Sequence, residues 1–402
     1  MKITEQAQNR SDSRPGTRAG LLSLALLPLV LVACGGGDDD PAPLADHTVY
    51  TMTNASAGNE VVAFRRGDNG MLTKIAAYPT GGNGLGSTEI SPATPQDGTD
   101  VLASQGSIQM SPDKRTLVAV NAGGATVTSF SIGRDGGLTR VSTLPSGGLQ
   151  PNAVAVSNSL VYVANVGAPS NGYASNVSGF KLGADGTLIA IAASTRSLSS
   201  VNAQPARLTF NPAGGLLAVS ELTTNRISVF PVAVDGTLSA PSVNTSVGMG
   251  PFGSSFLSSG ALLMSEVMSG SVSSYSVAAN GALSPISSSV VNGQMAVCWT
   301  FVTPDEKLLF TSNSASGTLS SYRIASDASL TLLQAVATPL EGPTSAVIDG
   351  ATSEDGKYVY ALNSGIGAIT ALRIESDGSL TKIQTIAGQG IPTLGAQGLV
   401  AR

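Results

Sequence analysis

Two glutamates and one arginine have the types and positions in this sequence that suit hydrolytic chemistry. Glu221 and Glu266 each close a short apolar segment that is predicted to be a β-strand, and Arg207 opens the segment before Glu221. A carboxylate can activate a water molecule, and a guanidinium can stabilise the oxyanion that forms when water adds to a carbonyl carbon. If the fold brings the three together, they predict a catalytic site that opens a small cyclic ester.

Other side chains near the ends of predicted strands are candidates for substrate contacts. They are Arg196, Arg226, Asn313, Asn363 and Trp299. A structural role stays open for each of them, because asparagine bonds local backbone in turns and tryptophan fills cores. It stays open for the glutamates as well, since a buried Arg–Glu pair with a purely structural role would give the same sequence.

Several other kinds of site are missing from the sequence. His47 is the only histidine, so a histidine general base within a Ser-His-Asp set is not available. Zinc-ligand spacing, a phosphate-binding loop, a dinucleotide fingerprint and the alternating aspartates of a calcium loop are also absent. We therefore predict no metal and no cofactor. The net charge of −5 disfavours nucleic acid as a partner.

A short turn sequence recurs seven times and indicates the fold. Each copy starts with Asp or Asn, usually followed by Gly, and ends in Leu: residues 69–72, 135–138, 185–188, 235–238, 280–283, 327–330 and 377–380. The leucines lie 45 to 66 residues apart, which is typical of propeller blades. Asp-Gly and Asn-Gly favour the tight turn between two strands. The sequence therefore predicts an all-β, seven-bladed β-propeller of four-stranded antiparallel blades over residues 47–402.

The two ends of this region are predicted to build one blade together. Residues 391–401 have the character of an innermost strand with nothing after it, and residues 47–52 begin the first blade directly at a second strand. Pairing of the N- and C-terminal strands would remove the free sheet edges of an open ring.

The repeat also predicts where the candidate site lies. Counting back from the turn leucines gives one residue that closes each second strand: Asn54, Asn121, Asn165, Glu221, Glu266, Asn313 and Asn363. The second strand ends where the innermost strand begins, so these seven residues should ring one mouth of the axial channel. We expect Glu221 and Glu266 to occupy the same mouth in adjacent blades, with Arg207 close to Glu221.

The first 46 residues are predicted to be a lipoprotein signal and a tether. Basic residues precede an apolar run at 21–32, which is short for a membrane span and ends in Ala33-Cys34. We predict a signal peptide at 1–33, lipidation of Cys34 and a flexible acidic tether at 34–46, anchoring the protein in the cell envelope. Gly35 after the cysteine favours the outer membrane. An ordinary secretory signal is the alternative.

From 47 to 402 the chain resembles the lactonase-like seven-bladed propellers, which include bacterial 6-phosphogluconolactonases and fungal carboxymuconate cyclases. The resemblance rests on these stretches: Ser104-Gln105-Gly106, Pro251-Phe252-Gly253, Ser265-Glu266, Cys298-Trp299 and Leu362-Asn363-Ser364-Gly365. It implies a site of His, Arg and Glu at strand ends around the central mouth. This chain departs from that pattern, since its strands begin with Pro151-Asn152 and with Pro205-Ala206-Arg207.

Two functions are compatible with the sequence. The first is a hydrolase of a small unphosphorylated lactone or cyclic acid at an axial mouth, because the predicted export separates the protein from cytoplasmic sugar phosphates. The alternative is a non-catalytic binding or scaffold propeller of the cell envelope, which the missing histidine favours. The long segment 80–105, rich in Gly and Pro, is predicted to be a lid or a loop that binds a protein partner.

Overall fold

The computed structural model describes residues 47–90, 97–157 and 159–402. Within them, seven antiparallel sheets follow one another along the chain. The predicted all-β class and seven-bladed β-propeller are therefore confirmed. The predicted signal peptide at 1–33, the lipidated Cys34 and the tether at 34–46 lie outside the described residues. No helix in the described part of the chain is long and apolar enough to span a membrane.

Blades 1 to 4 come from the N-terminal half of the chain. Blade 1 contains β1 (Thr48–Met52), β2 (Glu60–Arg66) and β3 (Leu72–Pro79). Blade 2 contains β4 (Ile108–Met110), β5 (Thr116–Asn121), β6 (Thr126–Ile132) and β7 (Leu138–Pro145). Blade 3 contains β8 (Pro151–Val156), β9 (Leu160–Asn165), β10 (Asn176–Leu182), β11 (Leu188–Ala190) and the additional β12 (Arg196–Ser197). Blade 4 contains β13 (Pro205–Phe210), β14 (Leu216–Glu221), β15 (Arg226–Pro231) and β16 (Ser242–Thr245).

Blades 5 to 7 and the closing strand complete the ring. Blade 5 contains β17 (Pro251–Phe256), β18 (Leu262–Glu266), β19 (Ser271–Val277) and β20 (Leu283–Val291). Blade 6 contains β21 (Val297–Val302), β22 (Leu308–Asn313), β23 (Thr318–Ile324) and β24 (Leu330–Pro339). Blade 7 contains β25 (Val347–Thr352), β26 (Tyr358–Asn363), β27 (Ala368–Ile374) and β28 (Leu380–Ala387). The last strand is β29 (Gln397–Ala401), and the described residues also form short 3₁₀ turns at Pro169–Asn171, Pro343–Ser345 and Ser364–Ile366.

The recurring turns join the two outer strands of each blade, as predicted. Six of them place glycine at positive φ, and in blade 6 Ala328 takes the same conformation at φ 65°. The aspartate of the turn accepts a hydrogen bond from the backbone N–H two residues later, as from Asp135 Oδ1 to Gly137 N at 2.9 Å. These aspartates are thus occupied by their own turns.

Ring closure pairs the two ends of the described chain. β29 lies antiparallel to β1 with Tyr50 opposite Val400, and it is the innermost strand of blade 1. The Thr51 hydroxyl donates to the Gly398 carbonyl at 2.7 Å, and Arg402 N donates to the Thr48 carbonyl at 2.9 Å. The predicted shared blade is confirmed.

Blades pack through small side chains and long-range tyrosine contacts. Tyr50 of blade 1 donates its hydroxyl to the Gly136 carbonyl of blade 2 at 2.9 Å, and Tyr360 of blade 7 donates to Gly70 of blade 1 at 2.9 Å. Each acceptor is the glycine of a recurring turn. Such a buried bond contributes about 1 kcal/mol net, and it ties each turn to the neighbouring blade.

The axial channel has two mouths, which differ in structure. We call the end at which the innermost strands begin the upper mouth, and the end at which they finish the lower mouth. Residues 101–106, called the plug below, contact innermost strands of several blades near the upper mouth. The Ser104 carbonyl accepts from Trp299 Nε1 at 3.0 Å, and Gln105 Nε2 donates to the Thr300 carbonyl at 2.8 Å. Gln105 N also donates to the Ala206 carbonyl.

Candidate functional site

Glu221 and Glu266 lie at the same end of the molecule. Each pairs with the first residue of the innermost strand of its blade, Glu221 with Pro205 and Glu266 with Pro251. Both are completely buried. The strand register that the repeat predicted is therefore present in both blades, and the role of each carboxyl group depends on its contacts.

Glu266 accepts hydrogen bonds from the loop that enters its own blade and from the next strand. Its donors are Gly248 N at 2.8 Å, Ser271 Oγ at 2.7 Å, Ser273 Oγ at 2.7 Å and Ser246 Oγ at 3.2 Å. A carboxyl group with this many protein donors holds the entering loop against the blade, and it has little capacity left for a water nucleophile.

Glu221 makes the equivalent contacts in blade 4. It accepts from Ser199 N at 3.2 Å, from the Ser199 hydroxyl, from Thr224 Oγ1 at 2.9 Å and from Ser228 Oγ at 2.5 Å. Ser228 and Ser273 occupy the same position in their blades, two residues into the third strand. Neither glutamate lines the cavity of the axial channel described below.

The asparagines at the same position form similar clamps. Asn313 Nδ2 donates to Thr318 Oγ1 and to Ser320 Oγ, both at 2.9 Å, and its Oδ1 accepts from Asn292 Nδ2 at 3.0 Å. Asn363 Nδ2 donates to Thr370 Oγ1 at 2.7 Å. Both are fully buried, so the structure places these two candidate substrate contacts inside the blades.

Arg196 and Arg226 lie away from the channel cavity. Arg196 donates from Nε to the Leu238 carbonyl at 3.0 Å and from Nη1 to the Ala193 carbonyl at 2.8 Å. Arg226 is exposed and donates from Nη1 to the Thr245 hydroxyl. Neither arginine meets Glu221 or Glu266 in an ion pair among the described residues.

Trp299 holds the plug in place. Its ring is fully buried and meets Phe252 edge to face, with ring centroids 5.0 Å apart. Its indole N–H donates to the Ser104 carbonyl. The segment 80–105, predicted to be a lid or a partner-binding loop, therefore ends in residues that are held across the upper mouth. Binding of a protein partner by this segment stays a prediction.

Arg207 enters the axial channel rather than pairing with Glu221. β13 has an irregularity between Pro205 and Arg207, which turns the side chain towards the axis. The guanidinium lines a cavity of about 210 Å³ that opens at the lower mouth. Its Nε and Nη1 atoms are shielded from solvent and have no hydrogen-bond partner among the described residues. Gly106 allows this placement, since a Cβ there would lie 1.8 Å from Nη1.

Asp349 faces the same cavity, although it was not among the residues predicted for the site. It sits at a register shift in β25, and its φ of 40° is unusual for a residue other than glycine. Oδ1 accepts from Gly350 N at 2.9 Å, while Oδ2 accepts from Leu399 N at 3.3 Å and from Gly106 N at 3.4 Å. The adjacent Asp-Gly pair within an inner strand was the only signal of this bulge.

The electrostatics of the two groups are linked. Burial raises the pKa of Asp349 to about 6, although the three N–H donors and the Arg207 guanidinium act in the opposite direction. Burial lowers the pKa of Arg207 to about 10, and the Asp349 carboxyl group opposes that change. Near pH 7 the cavity therefore holds one guanidinium cation and one carboxylate whose pKa is suited to accepting a proton.

Comparison with known proteins identifies the architecture. Residues 261–348 match the family model described as Lactonase, 7-bladed beta-propeller. This part of the chain is thus similar to the lactonase propellers, and the seven sheets give the described chain the seven-bladed propeller fold. The resemblance drawn from the sequence is confirmed. A search of curated proteins finds no significant match to this chain.

Two solved structures of similar fold cover most of this chain. The periplasmic gluconolactonase of Pseudomonas aeruginosa is 18% identical, with a TM-score of 0.66 over 88% of this chain and 99% of that one. A protein from Bacteroides uniformis, provisionally named a 6-phosphogluconolactonase, is 20% identical, with a TM-score of 0.65 over 88% of this chain and 100% of that one. At these identities the likeness concerns the fold.

Proposed function

We propose that this protein hydrolyses a small unphosphorylated lactone in the lower axial cavity, with Asp349 as general base and Arg207 as oxyanion partner. The observation that carries the proposal is the pair itself. A guanidinium with two unpartnered nitrogen atoms and a carboxyl group of raised pKa line the same open cavity. The lactonase family model and the gluconolactonase name of one similar structure support the class of substrate.

The reaction follows from the positions of these groups. The Asp349 carboxylate takes a proton from a water molecule as the water oxygen adds to the lactone carbonyl carbon. The Arg207 guanidinium stabilises the oxyanion of the tetrahedral intermediate. When the intermediate collapses, the bond to the ring oxygen breaks, and that oxygen takes the proton from Asp349. The product is an open-chain hydroxy acid; its new carboxyl group loses its remaining proton to solvent, and the resulting carboxylate lies beside Arg207.

The lining favours a small polar substrate without phosphate. Gln105, Gln109 and Thr300 offer hydrogen-bonding groups to hydroxyl substituents, and the volume of about 210 Å³ suits a single ring. Lys114 also lines the cavity, but its Nζ is paired with Glu354 at 3.3 Å. Arg207 is thus the available cation, whereas a phosphate group usually requires several charged or N–H donors.

The cell envelope is the proposed location, with Cys34 as the lipid anchor and the outer membrane as the target. The sequence pattern at 21–34 carries this part of the proposal, and the periplasmic gluconolactonase among similar structures agrees with it. A hydroxylated lactone in this compartment would reach the cavity without passing the inner membrane.

The test is a panel of sugar, aliphatic and aromatic lactones assayed with the wild-type protein and with Asp349→Asn and Arg207→Ala. We expect each substitution to lower kcat/KM by about a hundredfold to ten-thousandfold. In the wild type, kcat/KM should rise with pH up to about 6 and then level off, as Asp349 loses its proton. Asp305→Asn, outside the cavity, is the control and should leave turnover unchanged.

Two results would contradict the proposal. Full activity of both cavity variants would show that the reaction occurs elsewhere. Binding of lactones without turnover by the wild-type protein would favour the alternative function, a non-catalytic envelope protein that binds its ligand or partner.

A further inference from the structure

A second cavity lies at the upper mouth, on the far side of the plug from the Arg207–Asp349 cavity. Its volume is about 260 Å³. The residues that line it come from the starts of the innermost strands of blades 5 to 7, from the ends of the second strands of blades 4 to 6, and from the segment 97–100. The two cavities share no lining residue. We call this space the upper pocket.

The walls of the upper pocket are mostly apolar. Leu222, Phe252, Val267, Met268 and Ile348 contribute hydrocarbon or thioether surface. Met268 is also 60% exposed, so it stands at the rim, where an entering molecule would meet it. Methionine adapts its shape to different apolar partners, which suits a binding surface.

One polar group in this pocket lacks a partner. Asp100 Oδ1 is shielded from solvent and has no hydrogen-bond partner among the described residues. Burial and the nearby charge of Glu89 raise the pKa of Asp100 well above its ordinary value, and the Ala103 N–H only partly opposes this. This shift favours the protonated form of the carboxyl group, and a protonated carboxyl group is a hydrogen-bond donor that needs an acceptor.

Cys298 does not compete for that role. Its thiol is 3.7 Å from Ser314 Oγ, and burial raises the thiol pKa, so it stays protonated. It contributes a small apolar wall rather than a nucleophile.

We propose that the upper pocket binds a small, neutral, mainly apolar molecule through one carbonyl-type acceptor that receives a hydrogen bond from Asp100. The apolar walls account for the body of the ligand, and the unpartnered carboxyl group accounts for its single polar contact. The volume suits a molecule of fragment size, such as a substituted ring of six atoms. The site is independent of the hydrolysis proposed for the lower cavity.

The sole tryptophan provides a direct readout of occupancy. Trp299 contacts Phe252, which lines the upper pocket, and its indole N–H bonds to the plug. The purified full-length protein labelled with ¹⁵N-tryptophan should give one indole resonance, because the sequence contains one tryptophan. Three probes of matched size separate the possible chemistries: cyclohexanone (a neutral acceptor), cyclohexylamine (a cation) and methylcyclohexane (a hydrocarbon).

We expect cyclohexanone to shift the indole resonance saturably and to bind more tightly than the other two probes. Asp100→Leu should weaken cyclohexanone binding about twofold to tenfold, because one hydrogen bond is lost. Asp100→Asn keeps a hydrogen-bond donor and should therefore bind cyclohexanone as the wild type does. Ala315→Phe, at an exposed position of the lining, should fill the pocket and abolish the shift without altering the melting temperature.

Three results would overturn the proposal. Tighter binding of cyclohexylamine, lost in Asp100→Asn, would make the pocket a cation site. Equal affinities for cyclohexanone and methylcyclohexane would remove any role of Asp100. An indole resonance that no probe shifts, in a protein that keeps its native melting temperature, would show that the pocket does not bind such molecules.

Discussion

Replacement of Glu266 by alanine tests whether the buried glutamates are structural clamps or catalytic groups. Both interpretations start from the same sequence position. If Glu266 is a clamp, its replacement should lower the free energy of unfolding and leave the lactone reaction unchanged. If Glu266 is a catalytic group, its replacement should lower turnover and leave the free energy of unfolding unchanged.

The structure gives the expected size of the effect. Without the carboxyl group, Gly248 N–H is left buried and unsatisfied, because a backbone donor cannot rotate to another acceptor; this costs about 1–3 kcal/mol. The hydroxyls of Ser271 and Ser273 lose their short bonds to Glu266, although each also contacts Ser289. The cavity left by the shortened side chain adds to the loss. In total, Glu266→Ala should lower the free energy of unfolding by about 3–5 kcal/mol.

Glu266→Gln is the matched variant. Its remaining carbonyl oxygen can still accept from Gly248 N, and its amide can donate to a serine hydroxyl that rotates to accept. The expected loss is therefore only about 1 kcal/mol. Glu221→Ala should cost less than Glu266→Ala, because Ser199 is exposed and its N–H can bond water in place of Glu221.

Equilibrium denaturation with urea measures these losses, and kcat/KM on the best lactone measures the chemistry. The clamp interpretation is refuted if Glu266→Ala is as stable as the wild type. It is also refuted if Glu266→Gln keeps native stability but loses turnover at saturating substrate.

Three further predictions concern other parts of the chain. The pKa of Asp349 is about 6 in the folded protein, raised from 3.8, so the protonated group stabilises the fold below about pH 4 and this stabilisation is lost as pH rises through 6. The wild-type free energy of unfolding should therefore fall by about 3 kcal/mol through this group between low and neutral pH. Asp349→Asn should abolish that fall, which unfolding free energies at pH 4 and pH 7 measure. Deletion of 397–402 removes β29 and should abolish the cooperative melting transition seen by circular dichroism; a truncated protein that melts like the full chain would contradict closure by this strand. Cys34→Ser should yield soluble or uncleaved protein in cell fractions, and wild-type protein without an acyl mass on Cys34 would oppose the anchor.

The fold could be predicted from the sequence because each blade repeats its turn chemistry. Asp or Asn before a glycine at positive φ fixes a tight turn, and the leucine after it fixes the register of the strand. Counting from that leucine placed Glu221 and Glu266 at one end of their blades, where the pairing with Pro205 and Pro251 confirms them. The repeat of the turn sequence thus predicted at which end of its blade each glutamate lies.

The partners of these residues could not be predicted in the same way. Periodicity does not say whether a side chain at a strand end turns towards the channel or towards the loop beside it. In blade 5 the entering loop brings Gly248 N within 2.8 Å of Glu266, and this contact depends on loop conformation rather than on strand register. Arg207 was expected beside Glu221, but it lines the lower cavity, where its neighbour is a carboxyl group on β25 of another blade.

Asp349 shows how closure of the ring and the proposed chemistry depend on one another. Its Oδ2 atom accepts from Leu399 N of the closing strand and from Gly106 N of the plug, so the carboxyl group joins three separate parts of the chain. Both bonds are 3.3–3.4 Å long, and the Asp349 side chain is only 2% exposed. Movement of β29 or of the plug would therefore change the hydration and the pKa of the proposed general base, because these N–H groups help to hold that pKa down. A carboxyl group that is positioned by such long-range contacts leaves no motif in the sequence. The residues at the strand ends could therefore be predicted from the repeat, whereas Asp349 beside the axis could be found only in the structure.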